Sequence, residues 1–126
     1  MTKVEAGTAT LQSGSFSSNS ALKGTFGFAM DGFTNVGSGA LYDRVGNLHW
    51  DGAGHLGLTE FLNVSGSVTT SGTLMGTYTL ASTGRAVGNI GNLSSNLVFY
   101  LASSSQGYIL QADPNVEIDG NMGTMP

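Results

Sequence analysis

Asn47-Leu48-His49-Trp50-Asp51-Gly52-Ala53-Gly54-His55-Leu56-Gly57-Leu58 is the stretch whose reading decides the fold. Leu48 and Trp50 share one face of an extended chain, and Asp51-Gly52-Ala53-Gly54 is the sharpest turn signal in the sequence. Beyond the turn, Leu56, Leu58, Leu62 and Val64 recur on one face, with Glu60 among them. Alternation, a tight turn and alternation again specify a β-hairpin. The literal G-x-G-x-x-G from Gly52 to Gly57 therefore reads as hairpin chemistry. A dinucleotide fold needs a helix directly after the glycines and an acid about 20 positions on. Here a strand-like run follows, and the region of Thr73 and Leu74 carries no acid.

The same grammar extends outward in both directions. Residues 23–33 place Phe26, Phe28 and Met30 on one face, with Asp31-Gly32 and then Asn35-Val36-Gly37 read as the break. Residues 39–45 and 47–50 read as two strands, and 55–64, 73–80, 85–90, 96–102, 107–111 and 115–123 complete the set after a looser first strand at 4–11. No 3.6-residue periodicity is long enough for a helix, and one short helical turn near 16–22 is all the pattern allows. The expectation is an all-β chain forming a single antiparallel meander β-barrel of about 8 to 10 strands, since closure removes edges open to aggregation. The whole of 1–126 reads as one domain, with 1–12 a separate or exchanged first strand and 13–21 linker-like.

Composition narrows the function classes. A chain of 126 residues is long enough for one core. The net charge is −4, and the fixed cations are Lys3, Lys23, Arg44 and Arg85. Four scattered cations make no phosphate-binding face, so nucleic acid is not an expected partner. They make no polybasic membrane patch either, and no apolar run approaches the roughly 18 residues of a spanning helix, so membrane insertion is not expected. Cys is 0, which removes disulfides, thiolate metal sites and cysteine nucleophiles. Charged residues are only 10% while Gly numbers 20, a balance suited to a secreted or cell-surface protein. Met1-Thr2-Lys3 runs straight into strand-like residues, so the expectation is a secreted or surface chain read here without its signal peptide.

The two ends are alike: Val4-Glu5 followed by Gly7-Thr8 recurs as Val116-Glu117 followed by Gly120 and Gly123-Thr124. Between them run Ala21-Leu22-Lys23-Gly24-Thr25-Phe26-Gly27-Phe28, the hairpin quoted above, Gly76-Thr77-Tyr78-Thr79-Leu80 and Asp113-Pro114-Asn115-Val116. This succession resembles a Gly/Thr-rich β-barrel unit of exported bacterial proteins of unknown function, found singly or in tandem and close to lipocalins and avidin in size. The likeness covers about residues 22–124, with Arg85 and Gly88 as departures. Its motifs are turn and strand motifs, so it implies a barrel and supplies no catalytic or binding residues. In a tandem array the Val4 strand would be the tail of a preceding unit. That suggests self-association by exchange of the first or last strand.

Candidate sites gather between Tyr42 and Glu60. Glu60 on the Leu56, Leu58, Leu62 face is an inward carboxylate, which needs a partner, Arg44 or Arg85, or a ligand. Trp50 near a rim, helped by Tyr42, Tyr78, Tyr100 or Tyr108, suits stacking on a flat ligand. Tyr42, Trp50 and Glu60 are thus the candidate ligand-binding residues. His49 and His55 flank the hairpin turn beside Asp51 and are the weak metal candidates; with no evident fourth ligand, no metal or cofactor is expected. No G-x-S-x-G nucleophile elbow occurs. The leading expectation is a non-enzymatic exported module with a structural or interaction role. The rivals are a lipocalin- or avidin-like barrel holding a small apolar or amphiphilic ligand, and a barrel isomerase or cyclase using Glu60 with Tyr or His.

Overall fold

The computed structural model describes residues 9–34, 39–90, 96–114 and 116–126, so the part of the expected first strand at 4–8 lies outside the described residues. The alternation of large apolar with small or polar side chains gives strands with one buried face, β1 Lys23–Thr34, β2 Ala40–Asp51, β3 His55–Val64, β5 Leu74–Leu80, β6 Arg85–Ile90, β7 Asn96–Ser103, β8 Gln106–Gln111 and β9 Val116–Thr124, while the short β4 Ser67–Thr70 is exposed throughout. Each described pairing is antiparallel, and β1, β2, β3, β5, β6, β7, β8 and β9 form a ring closed by β9 against β1. The result is the all-β meander barrel the turn pattern specifies, with eight strands in the wall and β4 folded back on the far half of β3. The one helical element among the described residues is a 3₁₀ turn at Asn19–Ala21.

Three readings of the sequence are corrected. Residues 39–45 and 47–50 are one strand, β2, and Asp31-Gly32 lies inside β1, which runs on to Thr34. The wall needs both strands long, because β1 and β2 pair over their full length from Lys23 opposite Asp51 to Thr34 opposite Ala40. Gly32 marks a close approach rather than a turn: a Cβ there would lie 1.8 Å from the Glu117 carbonyl oxygen, and one at Gly120 would lie 1.8 Å from that of Ala29. These two glycines, inward on β1 and β9, let the closing pair of strands coil tightly.

The third correction concerns residues 13–21, whose linker-like composition conceals a plug. Phe16 and Leu22 are buried in the core, and Ser13 donates its backbone N–H to the Ala102 carbonyl at 2.8 Å. The Gln12 side chain donates to the carbonyls of Leu101 at 2.7 Å and Thr83 at 2.9 Å. Asn19 accepts from the Leu80 N–H at 2.8 Å, and the buried Tyr78 hydroxyl lies 2.8 Å from the Leu22 carbonyl it donates to. Ser and Asn thus serve here as donors and acceptors for the end of a barrel, not as spacer.

Burial raises the Tyr78 pKa above 10.0. A folded pKa above the unfolded one means the protonated phenol's contribution is complete below pH 10 and is lost as pH climbs through the folded value. Tyr78→Phe is expected to lose about 1–3 kcal/mol at neutral pH by taking the phenol donor away from the Leu22 carbonyl. It should also lose less further stability between about pH 9 and 11 than the parent chain does. Urea unfolding across that range checks both parts; parallel stability curves would contradict the assignment.

Candidate functional site

The inward faces of the wall divide the lumen into two halves. At the plugged end Trp50, at 0% exposure, stands edge-on to Tyr78 and Phe99, with ring centroids 4.9 and 4.8 Å away, and to Phe26 at 6.5 Å. Such T-shaped contacts set the positive edge of one ring against the negative face of another. The Trp50 Nε1 has no hydrogen-bond partner among the described residues. Trp50 is therefore a core residue and not the rim residue its place beside a turn suggested. The physical reason is that the plug covers that end of the barrel and encloses the ring.

At the opposite end the lumen is polar. Arg44 on β2 donates from Nε to Glu60 Oε2 on β3 at 2.7 Å and from Nη1 to Gln111 Oε1 on β8 at 2.9 Å. Gln111 Nε2 donates to Asp113 Oδ2 at 2.8 Å, and Asp113 Oδ1 accepts the Asn96 backbone N–H at 3.1 Å. The chain of contacts crosses the lumen from wall to wall. The inward row reading Tyr42, Gly32, Ile118, Gln111 runs across β2, β1, β9 and β8 at this end and carries no side chain at Gly32. The ion pair is almost fully enclosed, with side chains 1% and 4% exposed. Buried charges of this kind persist where each is paired and hydrogen-bonded.

Glu60 is also held through its backbone. Its N–H donates to Ser71 Oγ at 3.1 Å, and the Ser71 N–H donates to its carbonyl at 3.0 Å. These bonds fill the gap on β3 between the residues paired with β5 and those paired with β4. Tyr42 lies half-buried beside the network. Its pKa is raised, chiefly by burial, with Arg44 opposing and the negative charges of Glu60 and Asp113 adding to the rise.

Tyr42 and Glu60 are thus brought into one neighbourhood, while Trp50 sits in the other half of the lumen. The histidines point outward. His49 Nδ1 is hydrogen-bonded to Thr25 Oγ1 at 3.0 Å, and His55 Nδ1 lies 3.0 Å from Asp51 Oδ2. Asp51 also accepts the backbone N–H groups of Ala53 at 2.7 Å and His55 at 3.0 Å, and those backbone donors, His55 first, lower its pKa. Asp51 and His55 are accordingly hairpin residues. Among the described residues no three His, Asp or Glu side chains converge as a metal site. Arg85 and Tyr100 face each other across β6 and β7 on the outer wall, with Tyr100 opposite Tyr108, so neither tyrosine approaches Trp50. Gly52 to Gly57 runs into β3, which removes the helix that nucleotide binding requires.

The sequence reading left Gln111 and Asp113 out of the site. The signal for Gln111 is its phase, since Gly107, Ile109 and Gln111 alternate inward along β8. Grooves of about 500, 350 and 240 Å³ lie over β9 and β1 to β4, over the hairpin of β2 and β3 with β5, and over β7 to β9; Glu60 lines none of these three. No family model, curated protein or solved structure matches the chain.

Proposed function

We propose that this chain is a non-enzymatic, exported β-barrel module that acts as a structural or interaction unit rather than as a ligand carrier. The observation that carries the reading is the occupied lumen: Trp50 and its ring partners fill one half, and the Glu60–Arg44–Gln111 bridge spans the other. A carrier keeps an apolar cavity open for its ligand, whereas here the groups that could hold one satisfy each other. An isomerase or cyclase would need Glu60 free to exchange protons with a substrate, and its carboxylate is engaged by Arg44. The low charge and the Gly, Ser and Thr content support export.

Exchange of the last strand between copies would have to break nine residue pairs with β1 and six with β8. The outer wall is therefore the surface offered to a partner without opening the barrel. The test is titration with dodecanoic acid, followed by native mass spectrometry and Trp50 fluorescence. The reading expects no one-to-one adduct at micromolar ligand and an unchanged emission maximum. A stoichiometric adduct that shifts Trp50 emission, and is weakened by Tyr42→Phe, would establish the carrier instead.

A further inference from the structure

The outer wall over β9, β1, β2, β3 and β4 carries an arrangement that an isolated barrel has no use for. Asp31 on β1 stands directly opposite Asp43 on β2 and directly opposite Asp119 on β9, so three exposed carboxylates form one row across three adjacent strands. Like charges placed directly opposite each other on one face of a sheet repel at a Cβ separation of about 5 Å. The tight coiling permitted by Gly32 and Gly120, one residue beyond Asp31 and Asp119, holds the two strands together at this point. No described cation relieves the row. Arg44 is turned inward to Glu60, and Lys23 and Arg85 belong to the plugged end, at the first residues of β1 and β6.

Apolar side chains border the acidic row on both sides. Val45 and Phe61 face each other across β2 and β3 at 55% and 58% exposure, and Phe33 faces Leu41 across β1 and β2 on the other side. Val68 on β4, opposite Asn63, stands at the end of the acidic row itself, because Asn63 in turn pairs with Asp43. Asp31, Asp43, Val45, Phe61 and Val68 line the groove of about 500 Å³. Exposed aromatic and aliphatic groups gathered in a groove mark an interaction surface more than a solvated wall.

We infer that this face docks a cationic polypeptide segment in which Lys or Arg is flanked by apolar residues, the cations lying over Asp43, Asp31 and Asp119 and the apolar groups in the Val45, Phe61, Val68 groove. The inference rests on the reading of the chain as an interaction module and names its partner class. The sign of the charge selects the occupant. A second copy carries a net charge of −4 and would bring the same repulsion, and nucleic acids and anionic lipid surfaces carry the wrong sign.

The test uses the full chain and a synthetic, end-capped peptide alternating Lys with Val, its Glu-for-Lys counterpart serving as control, by isothermal titration at low and physiological salt. The Lys peptide should bind with one-to-one stoichiometry and more weakly as salt rises, and the Glu peptide should not bind. Asp31→Asn with Asp43→Asn, and separately Phe61→Ser, should each weaken binding about tenfold or more. Asp51→Asn, which removes a charge at the other end of the barrel and keeps the turn's acceptor oxygen, should leave it unchanged. Thermal unfolding of each variant confirms that the barrel is intact, and Asp31→Asn with Asp43→Asn should melt no lower than the parent.

Failure of the Lys peptide to bind overturns the inference. So does equal weakening by Asp51→Asn, which would reduce the effect to net charge, and so does insensitivity to Phe61→Ser. None of these results touches the filled-lumen reading, which the dodecanoic acid titration decides separately.

Discussion

Glu60→Leu is expected to destabilise the barrel by about 3–5 kcal/mol, because it leaves the Arg44 guanidinium charged, enclosed and short of its main partner. The size of the loss follows from the asymmetry of buried pairs: attraction between the two charges roughly offsets their removal from water, so deleting one exposes the full cost of burying the other. Arg44→Met should be comparably damaging for the mirror-image reason. The double replacement Arg44→Met with Glu60→Leu removes both charges, and similar apolar volume at both sites should recover most of the loss. Urea unfolding of the four chains gives the coupling directly. A Glu60→Leu chain within about 1 kcal/mol of the parent would mean that water reaches the pair and that the lumen is open at that end.

Trp50→Ala carries the second large effect, an expected loss of about 3–5 kcal/mol. Tyr78, Phe99 and Phe26 meet the indole edge-on from three strands, and their rings cannot all collapse into the space it would leave. Trp50→Phe should cost much less. It gives up volume and part of the edge-to-face contact, but it also removes an N–H that has no partner among the described residues. Thermal and urea unfolding of both variants check the order. Equal losses for Ala and Phe would show that the indole N–H makes a bond worth as much as the ring's packing.

The extent to which this architecture could be read in advance differs between its parts. The hairpin at Asp51-Gly52-Ala53-Gly54 was legible because turn chemistry and the period of two are local properties of the chain. The inward position of Glu60 followed from the same period, and Arg44 was one of two partners the cation inventory allowed. The connection of Glu60 through Arg44 to Gln111 was not legible, since β2 and β8 are separated in the wall by β1 and β9 and their relation depends on register. The row of Asp43, Asp31 and Asp119 was hidden for the same reason, and further by taking Asp31-Gly32 for a turn when it lies mid-strand. The plug escaped because Phe16 is a lone apolar residue in a Ser- and Asn-rich segment with no period, so composition alone argued for a spacer.

The β4 strand was passed over because Ser65-Gly66-Ser67 and Thr70-Ser71-Gly72 both read as turns, and each claims one of its ends. Its pairing with β3 matters to the outer wall, because it places Val68 beside Asn63 and so sets an apolar side chain at the end of the row that holds Asp43. The same strand geometry thus accounts for the enclosed pair inside and the acidic, apolar groove outside: inward positions on β2 and β3 give Arg44 and Glu60, and the alternating outward positions give Asp43, Val45 and Phe61.

Hydrogen exchange of the Trp50 indole N–H, followed by NMR in deuterated buffer, tests the filled lumen most directly. A dry, occupied barrel predicts that this proton exchanges only through global unfolding, at the rate of the slowest backbone amides of β1 and β2. Exchange within minutes, while those amides stay protected, would place water or an open cavity beside Trp50 and contradict the account.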